Sequence, residues 1–220
     1  MLEFIKNSSQ LYRNVNEERT ELKVINLTEN PTTYTCNVYY IQGEFNSLDT
    51  LNTIIDIGRD NVIFEKFNYV SKGLGKKLID QIILTHNHYD HTSLLTAVKE
   101  IYSPKVYAFS PYLKGVDTVL KGGESILIGD KFFEVIHTPG HTQDSICLYC
   151  SENGFLFVGD TRVILNSNDW SLEENYVKAM EYICTRNVSK IFFGHGPSLE
   201  SGCNEKLQKT LEIIHNSKII

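Results

Sequence analysis

Within six positions, His86-Asn87-His88-Tyr89-Asp90-His91 offers three imidazoles and a carboxylate. Crowded together, these groups would repel or dehydrate one another unless a cation neutralised them. Neutral His nitrogens and Asp oxygens suit zinc or iron. Three of the seven histidines of the chain fall in this stretch, which argues against a loop that is His-rich by accident. The residues just before it, Ile82-Ile83-Leu84-Thr85, are apolar and partly β-branched and predict a buried strand. The polar cluster therefore begins where a strand stops, which is where α/β sheets place their chemistry.

Three more polar residues stand at ends of predicted strands. His141 lies in Thr138-Pro139-Gly140-His141-Thr142, Asp160 in Val158-Gly159-Asp160-Thr161, and His195 in Phe193-Gly194-His195-Gly196-Pro197. Each follows a glycine, which permits tight turns close to a ligand. The whole set of five His and two Asp is enough for two metal ions, whereas a structural zinc site would close with four ligands, usually including Cys. His86 and His88, two apart on an extended segment, can chelate one ion. Asp90 and His91 turn toward a neighbouring ion as a helix begins. Two divalent ions, two carboxylates and a bridging hydroxide leave about +1 at the centre, which attracts a carbonyl or phosphoryl oxygen. Metal coordination also lowers the pKa of water from about 15.7 to about 7, so no Ser or Cys nucleophile is needed.

In this order of residues, His86-Asn87-His88-Tyr89-Asp90-His91, His141, Asp160 and His195, the chain resembles the HxHxDH…H…D…H signature of the metallo-β-lactamase superfamily in its glyoxalase II-like arrangement. The resemblance runs from about Leu22 to Leu199. It implies an α+β or α/β fold, a four-layer αββα sandwich with metals in a cleft at the sheet edges. It implies that His86, His88 and His141 hold a first metal, that Asp90, His91 and His195 hold a second, and that Asp160 bridges them. Asp90 is then also a catalytic candidate. The implied activity is that of a dinuclear hydrolase, most simply with zinc (iron and manganese also fit), whose bridging hydroxide opens a small thioester, ester or lactone.

Two other readings stand beside it. An iron-dependent persulfide (sulfur) dioxygenase would use only the first-metal His pair plus Asp. A weakly catalytic binding protein would keep the site as a ligand pocket. The chain also departs from the family pattern. Thr92-Ser93-Leu94 follows the DH pair where many members have glycines. The residues after His195 are expected to leave no room for the helical glutathione-binding domain of glyoxalase II. His88 stands where the flavodiiron oxygen reductases carry Glu, and 220 residues are too few for the inserted domain of the large nuclease-type members.

The elements that must position these residues follow from periodicity. Residues 22–27, 35–41, 53–58, 79–85, 105–109, 124–128, 131–137, 145–150, 155–158 and 191–193 predict strands. Residues 60–72, 92–101, 171–186 and 203–216 predict helices, with Ser171 as an N-cap and Glu173 and Glu174 in the first turn. Gly73-Leu74-Gly75-Lys76-Lys77 lacks phosphate-loop spacing and suggests a glycine C-cap. Substrate choice is expected in the loops Thr28–Tyr34, Gln42–Thr50 and Thr161–Leu172. There Arg162 could hold an anionic tail and Trp170 could close the pocket. His137, His215 and the Cys147/Cys150 pair are expected to stay out of the chemistry. Pro139-Gly140 forbids a helical His137/His141 pair, and cysteines three apart on a strand face opposite sides.

Composition bounds the rest. Residues 1–21 suggest an N-terminal appendage to a single domain over 22–220. A net charge of −6 opposes nucleic-acid binding. No apolar run is long enough to span a bilayer, and the N-terminal residues lack a signal-peptide pattern. With five scattered cysteines, this predicts a cytoplasmic protein acting on a small molecule without a membrane partner. Oligomeric state is left open.

Overall fold

The structure, a computed structural model, describes residues 22–44, 47–168 and 171–220; the expected appendage and Trp170 lie outside them. The first half of the chain forms strands β1 (Lys23–Asn26), β2 (Tyr39–Gln42), β3 (Thr53–Ile55), β4 (Gln81–Leu84), β5 (Lys105–Ala108) and β6 (Thr118–Val119). They make one sheet in that order. β1 to β3 pair antiparallel and β3 to β6 parallel. The second half supplies β7 (Ser125–Ile128), β8 (Lys131–His137), β9 (Ile146–Cys150), β10 (Phe155–Gly159) and β12 (Lys190–Phe193). These form a second sheet in the order β12-β10-β9-β8-β7. A small third pairing joins β11 (Ser171–Leu172) to β13 (Lys218–Ile219).

The period of two along the strands explains the layering. Ile55, Ile83, Leu148 and Phe157 point between the two sheets, into a core they share with Tyr39, Ile41, Phe133 and Val135. Their neighbours Ile54, Ile82 and Leu84 point the other way. They pack under helices α1 (Val62–Lys66) and α3 (Leu95–Tyr102) through Ile63, Leu95 and Val98. On the far side, Cys147, Tyr149, Leu156 and Val158 meet α4 (Glu174–Cys184) and α5 (Cys203–His215) through Met180, Ile183 and Leu207. Helix, sheet, sheet, helix is the expected αββα sandwich. Among the described residues no helix is long and apolar enough to cross a membrane.

Several local expectations change. The helix expected over 60–72 stops at Lys66, because Asn68, Ser71 and Gly73 are poor helix formers. Gly73–Lys77 is therefore a turn rather than a helix cap, and it buries Lys76, whose Nζ donates to Thr50 Oγ1 at 2.7 Å. Ser171 caps nothing. It belongs to β11, and α4 starts after Glu173 without a side-chain cap. The expected helix at 92–101 splits into the one-turn helix α2 (Tyr89–Thr92) and α3. Residues 35–38 are not paired as strand. Instead the Cys36 and Asn37 N–H groups donate to the carbonyls of Asp90 and Gly194, tying the end of β2 to the site.

Candidate metal centre

The site is assembled where both sheets end. β3 stops at Ile55, and Asp56 follows with φ 55, a left-handed conformation that Asp tolerates better than most residues. Its buried carboxylate accepts from Thr85 N and Thr85 Oγ1, each at 2.8 Å, and pairs with His91 Nδ1 at 2.8 Å. Asp56 thus locks the ends of β3 and β4 together and aims the imidazole of His91. His86 leaves β4 buried, with Nδ1 3.1 Å from Thr85 Oγ1. His88 is still extended at the N-cap of α2, and α2 then swings Asp90 and His91 inward.

The second sheet supplies the rest. His141 follows β8 through the Pro139-Gly140 turn, and its Nε2 lies 2.9 Å from His88 Nδ1. Asp160 follows β10 and His195 follows β12. Gly159 has φ 51, and a Cβ there would collide with Thr85 Oγ1. A Cβ on Gly194 would collide with Asp160 Oδ1. These two glycines let three strand ends converge at backbone distance.

All seven residues singled out from the sequence meet here. One group comprises His86, His88, His141 and Asp160, and another Asp90, His91 and His195; within each, the candidate ligand atoms lie within 4.8 Å of one another. Asp160 stands between the groups. Its Oδ2 is 3.5 Å from His141 Nε2 and 3.6 Å from His195 Nε2, and its Oδ1 is 3.3 Å from His91 Nε2. Asp90 Oδ2 is 3.1 Å from His195 Nε2.

These contacts are close but unaligned. His86 Nε2, His91 Nε2, His195 Nε2 and Asp160 Oδ1 are buried without a hydrogen-bond partner. Four buried polar atoms left unsatisfied around one point would be costly in a folded protein, and a cation held among them would satisfy them. The donor set, imidazole nitrogen and carboxylate oxygen, fits divalent zinc, iron or manganese. Burial, with the charge on His91, pushes His86 down to about 4. Burial likewise lowers His141, and both are held in the neutral form a metal requires. Burial alone would raise Asp160, but His91 close against its Oδ1, with further charge from His195 and His86, brings it to about 2. His91 is held up, against its burial, by Asp56 and Asp160.

Behind His91 sits a third, fully buried group of Cys36, Asp56 and His91. Burial pushes the Cys36 thiol up to about 12, so it is neutral, and the Asp56 oxygens are already used. This group supports the ring. Sequence reading missed Asp56 and Cys36, although Asp56 stands at a strand end as the ligands do. Nor did it foresee that Tyr34, within the loop Thr28–Tyr34 expected near the cleft, stacks its ring on His195 at 5.2 Å and 11°.

Other expectations divide. Arg162 lines two cavities that both reach His141. The Thr28–Tyr34 loop flanks the site through Tyr34. The loop Gln42–Thr50 does not: β2 runs antiparallel to β3, so this loop leaves at the sheet end opposite Asp56 and His86. His137 stacks on Phe109 at 3.9 Å, outside either ligand group. His215 pairs with Glu181 at 3.3 Å on the surface. Cys147 and Cys150 lie in different cores on opposite faces of β9.

Fold and cluster together define a metal-binding αββα sandwich. A model of the metallo-beta-lactamase superfamily matches residues 31–195, and the chain belongs to that superfamily. Among curated relatives, hydroxyacylglutathione hydrolase of Legionella pneumophila (strain Corby) is 31% identical over 143 residues, covering 63% of this chain and 55% of that protein. The enzyme of the same name from Hydrogenovibrio crunogenus is 33% identical over 143 residues, covering 64% and 49%. The chain thus spans about half the length of these relatives. Among solved structures, the chemotaxis sensor ODP in a peroxy diiron form aligns with TM-score 0.67 at 18% identity, covering 89% of this chain and 93% of that one. BLEG-1 B3 metallo-beta-lactamase aligns with TM-score 0.59 at 23% identity, covering 87% and 99%. These likenesses show the fold.

Proposed function

We propose that the chain is a metal-dependent hydrolase of small thioesters, esters or lactones, with two divalent ions, most simply zinc. His86, His88 and His141 would hold one, Asp90, His91 and His195 the other, and Asp160 both. The observation that carries this reading is the convergence of both ligand groups on Asp160, with four buried donor atoms left for a cation. The relatives' name, hydroxyacylglutathione hydrolase, describes hydrolysis of an acyl-glutathione and supports the thioester class. Two ions held there would supply a hydroxide at neutral pH and stabilise charge on an attacked carbonyl.

The protein's own groups do the rest. With a metal bound, Asp56 would keep the remaining His91 proton on Nδ1 and turn Nε2 to the cleft. Asp90, 19% exposed at its side chain and 3.1 Å from His195, faces the cleft edge. Tyr34 covers one face of His195 and limits water there. A reducing compartment such as the cytoplasm suits five free cysteines.

The persulfide dioxygenase reading leaves Asp90, His91 and His195 without a role, although the fold gathers them as tightly as the first group. Metal analysis of protein purified with zinc or manganese, followed by a panel of thioester, lactone, phosphodiester and persulfide substrates, tests the choice. The expected result is two metals per chain and thioester or lactone turnover, with His195→Ala releasing mainly one ion. One iron per chain, oxygen consumption with a persulfide and indifference to His195→Ala would refute it. Tight binding without turnover would move the chain to the binding-protein reading.

A further inference from the structure

Beside His141 opens a cavity of about 330 Å³. Its floor is built from Leu165, Leu172 and Tyr176, which belong to the core between α4 and the second sheet, and its rim is polar, with Arg162, Ser171 and Glu173. A second, more open cavity runs over Asp160 and His195 and shares His141 and Arg162 with the first. The two cavities therefore adjoin across His141 and Arg162, and the first, the chamber, carries an apolar floor away from the ligand cluster. The chamber is firmly built. Tyr176 donates through its hydroxyl to the Arg162 carbonyl at 2.6 Å, and β11 with its partner β13 holds Leu172 in place. On the rim, Glu173 is engaged by Gln143 Nε2 at 3.1 Å.

We infer that this chamber receives the acyl group of the substrate, and that the preferred substrate class is a thioester of a medium-length, unbranched, apolar acyl chain. The inference rests on the hydrolase reading above. A carbonyl attacked at Asp160, His141 and His195 has two substituents, and the cavity beside His141 and Arg162 gives one of them an apolar floor to lie on. Aliphatic and aromatic walls reward an alkyl chain. A peptide thiol bearing carboxylates meets the Glu173 carboxylate at the rim, with Arg162 as the cation among the lining residues. At roughly 30 Å³ per water-sized group the volume holds about ten of them, so chains of about eight to ten carbons fill it.

Thioesters of N-acetylcysteamine, from acetyl to hexadecanoyl, test this on the metal-loaded protein. Specificity, kcat/KM, should climb about fourfold per methylene up to about ten carbons and then stop rising. Leu165→Trp, which fills the chamber, should lower the octanoyl-to-acetyl ratio at least tenfold; Leu165→Phe is the milder variant if that protein does not fold. The matching S-alkyl thioethers, which cannot be hydrolysed, give a readout without turnover: affinity by calorimetry should follow the same chain-length dependence and the same loss in the variant. Turnover with a flat chain-length profile would overturn the acyl assignment and leave the hydrolase standing. Absence of turnover with length-dependent thioether binding would overturn the hydrolase and keep the chamber. Length-independent binding would overturn the chamber in either case.

Discussion

Asp56→Asn separates what the buried carboxylate does for the fold from what it does for the metal centre. Asn keeps the shape and tolerates the left-handed backbone at φ 55, so strain does not confound the comparison. In the native protein the carboxylate accepts from Thr85 N, Thr85 Oγ1 and His91 Nδ1. The amide has only one acceptor oxygen, which can serve Thr85 N. Its NH2 then faces the imidazole, and two donors oppose each other unless the ring proton moves to Nε2. That tautomer points a hydrogen at Asp160 and takes Nε2 out of metal binding. With the side chains of His91 and Asp56 only 0% and 3% exposed, water offers no relief. One buried group left mispaired costs about 1–3 kcal/mol, which for a chain of this length lowers Tm by about 2–12 °C. Loss of a partner that orients a ligand reduces metal affinity by about 10–100-fold. Thermal unfolding of the metal-free protein reads the first number, and competition with a chromophoric chelator reads the second. Native affinity for both ions in a variant that has lost stability would refute the orienting role.

Gly194→Ala should displace Asp160, since the new methyl collides with Oδ1 and lies 2.9 Å from the Gly159 carbonyl. Metal content should fall for both ligand groups, with overpacking costing about 1–3 kcal/mol, read by metal analysis and urea unfolding. Asp60 gives a pH signature: burial would raise its carboxyl, but bonds from Val62, Thr33 and Thr32 bring it below its ordinary value. A depressed carboxylate stabilises the fold above about pH 4 and loses that contribution as pH falls through its lower folded value. Asp60→Asn should therefore be less stable than the native protein at pH 7, with the gap closing in acid. A gap independent of pH would sink that account. With a net charge of −6, no salt-sensitive RNA or DNA binding is expected, and submicromolar RNA affinity weakening steeply with salt in a filter-binding assay would contradict it.

What could be read from the chain follows from how local each signal is. Strand alternation is local, so Ile54 and Ile55 or Cys147 and Leu148 already declare opposite faces, and the two sheets with their outer helices follow. The seven candidate ligand residues are legible for a similar reason, since they gather shortly after apolar runs that end as strands. Ser171 was misplaced because its partner, Lys218, is far away in sequence, and a helix N-cap was the better local account. Tyr34 falls in a loop expected to set substrate choice, but its stacking on His195 and the tie of Cys36 to Asp90 depend on residues that reach the same place from elsewhere. Asp56 is the intermediate case. Its position at the end of β3 was visible, but its partners Thr85 and His91 come from just past β4 and from α2, which only parallel pairing brings alongside. Ligands can be recognised one strand at a time, whereas the groups that aim them exist only once two strands are paired. Substitution of such a group should therefore alter metal affinity before it alters the fold.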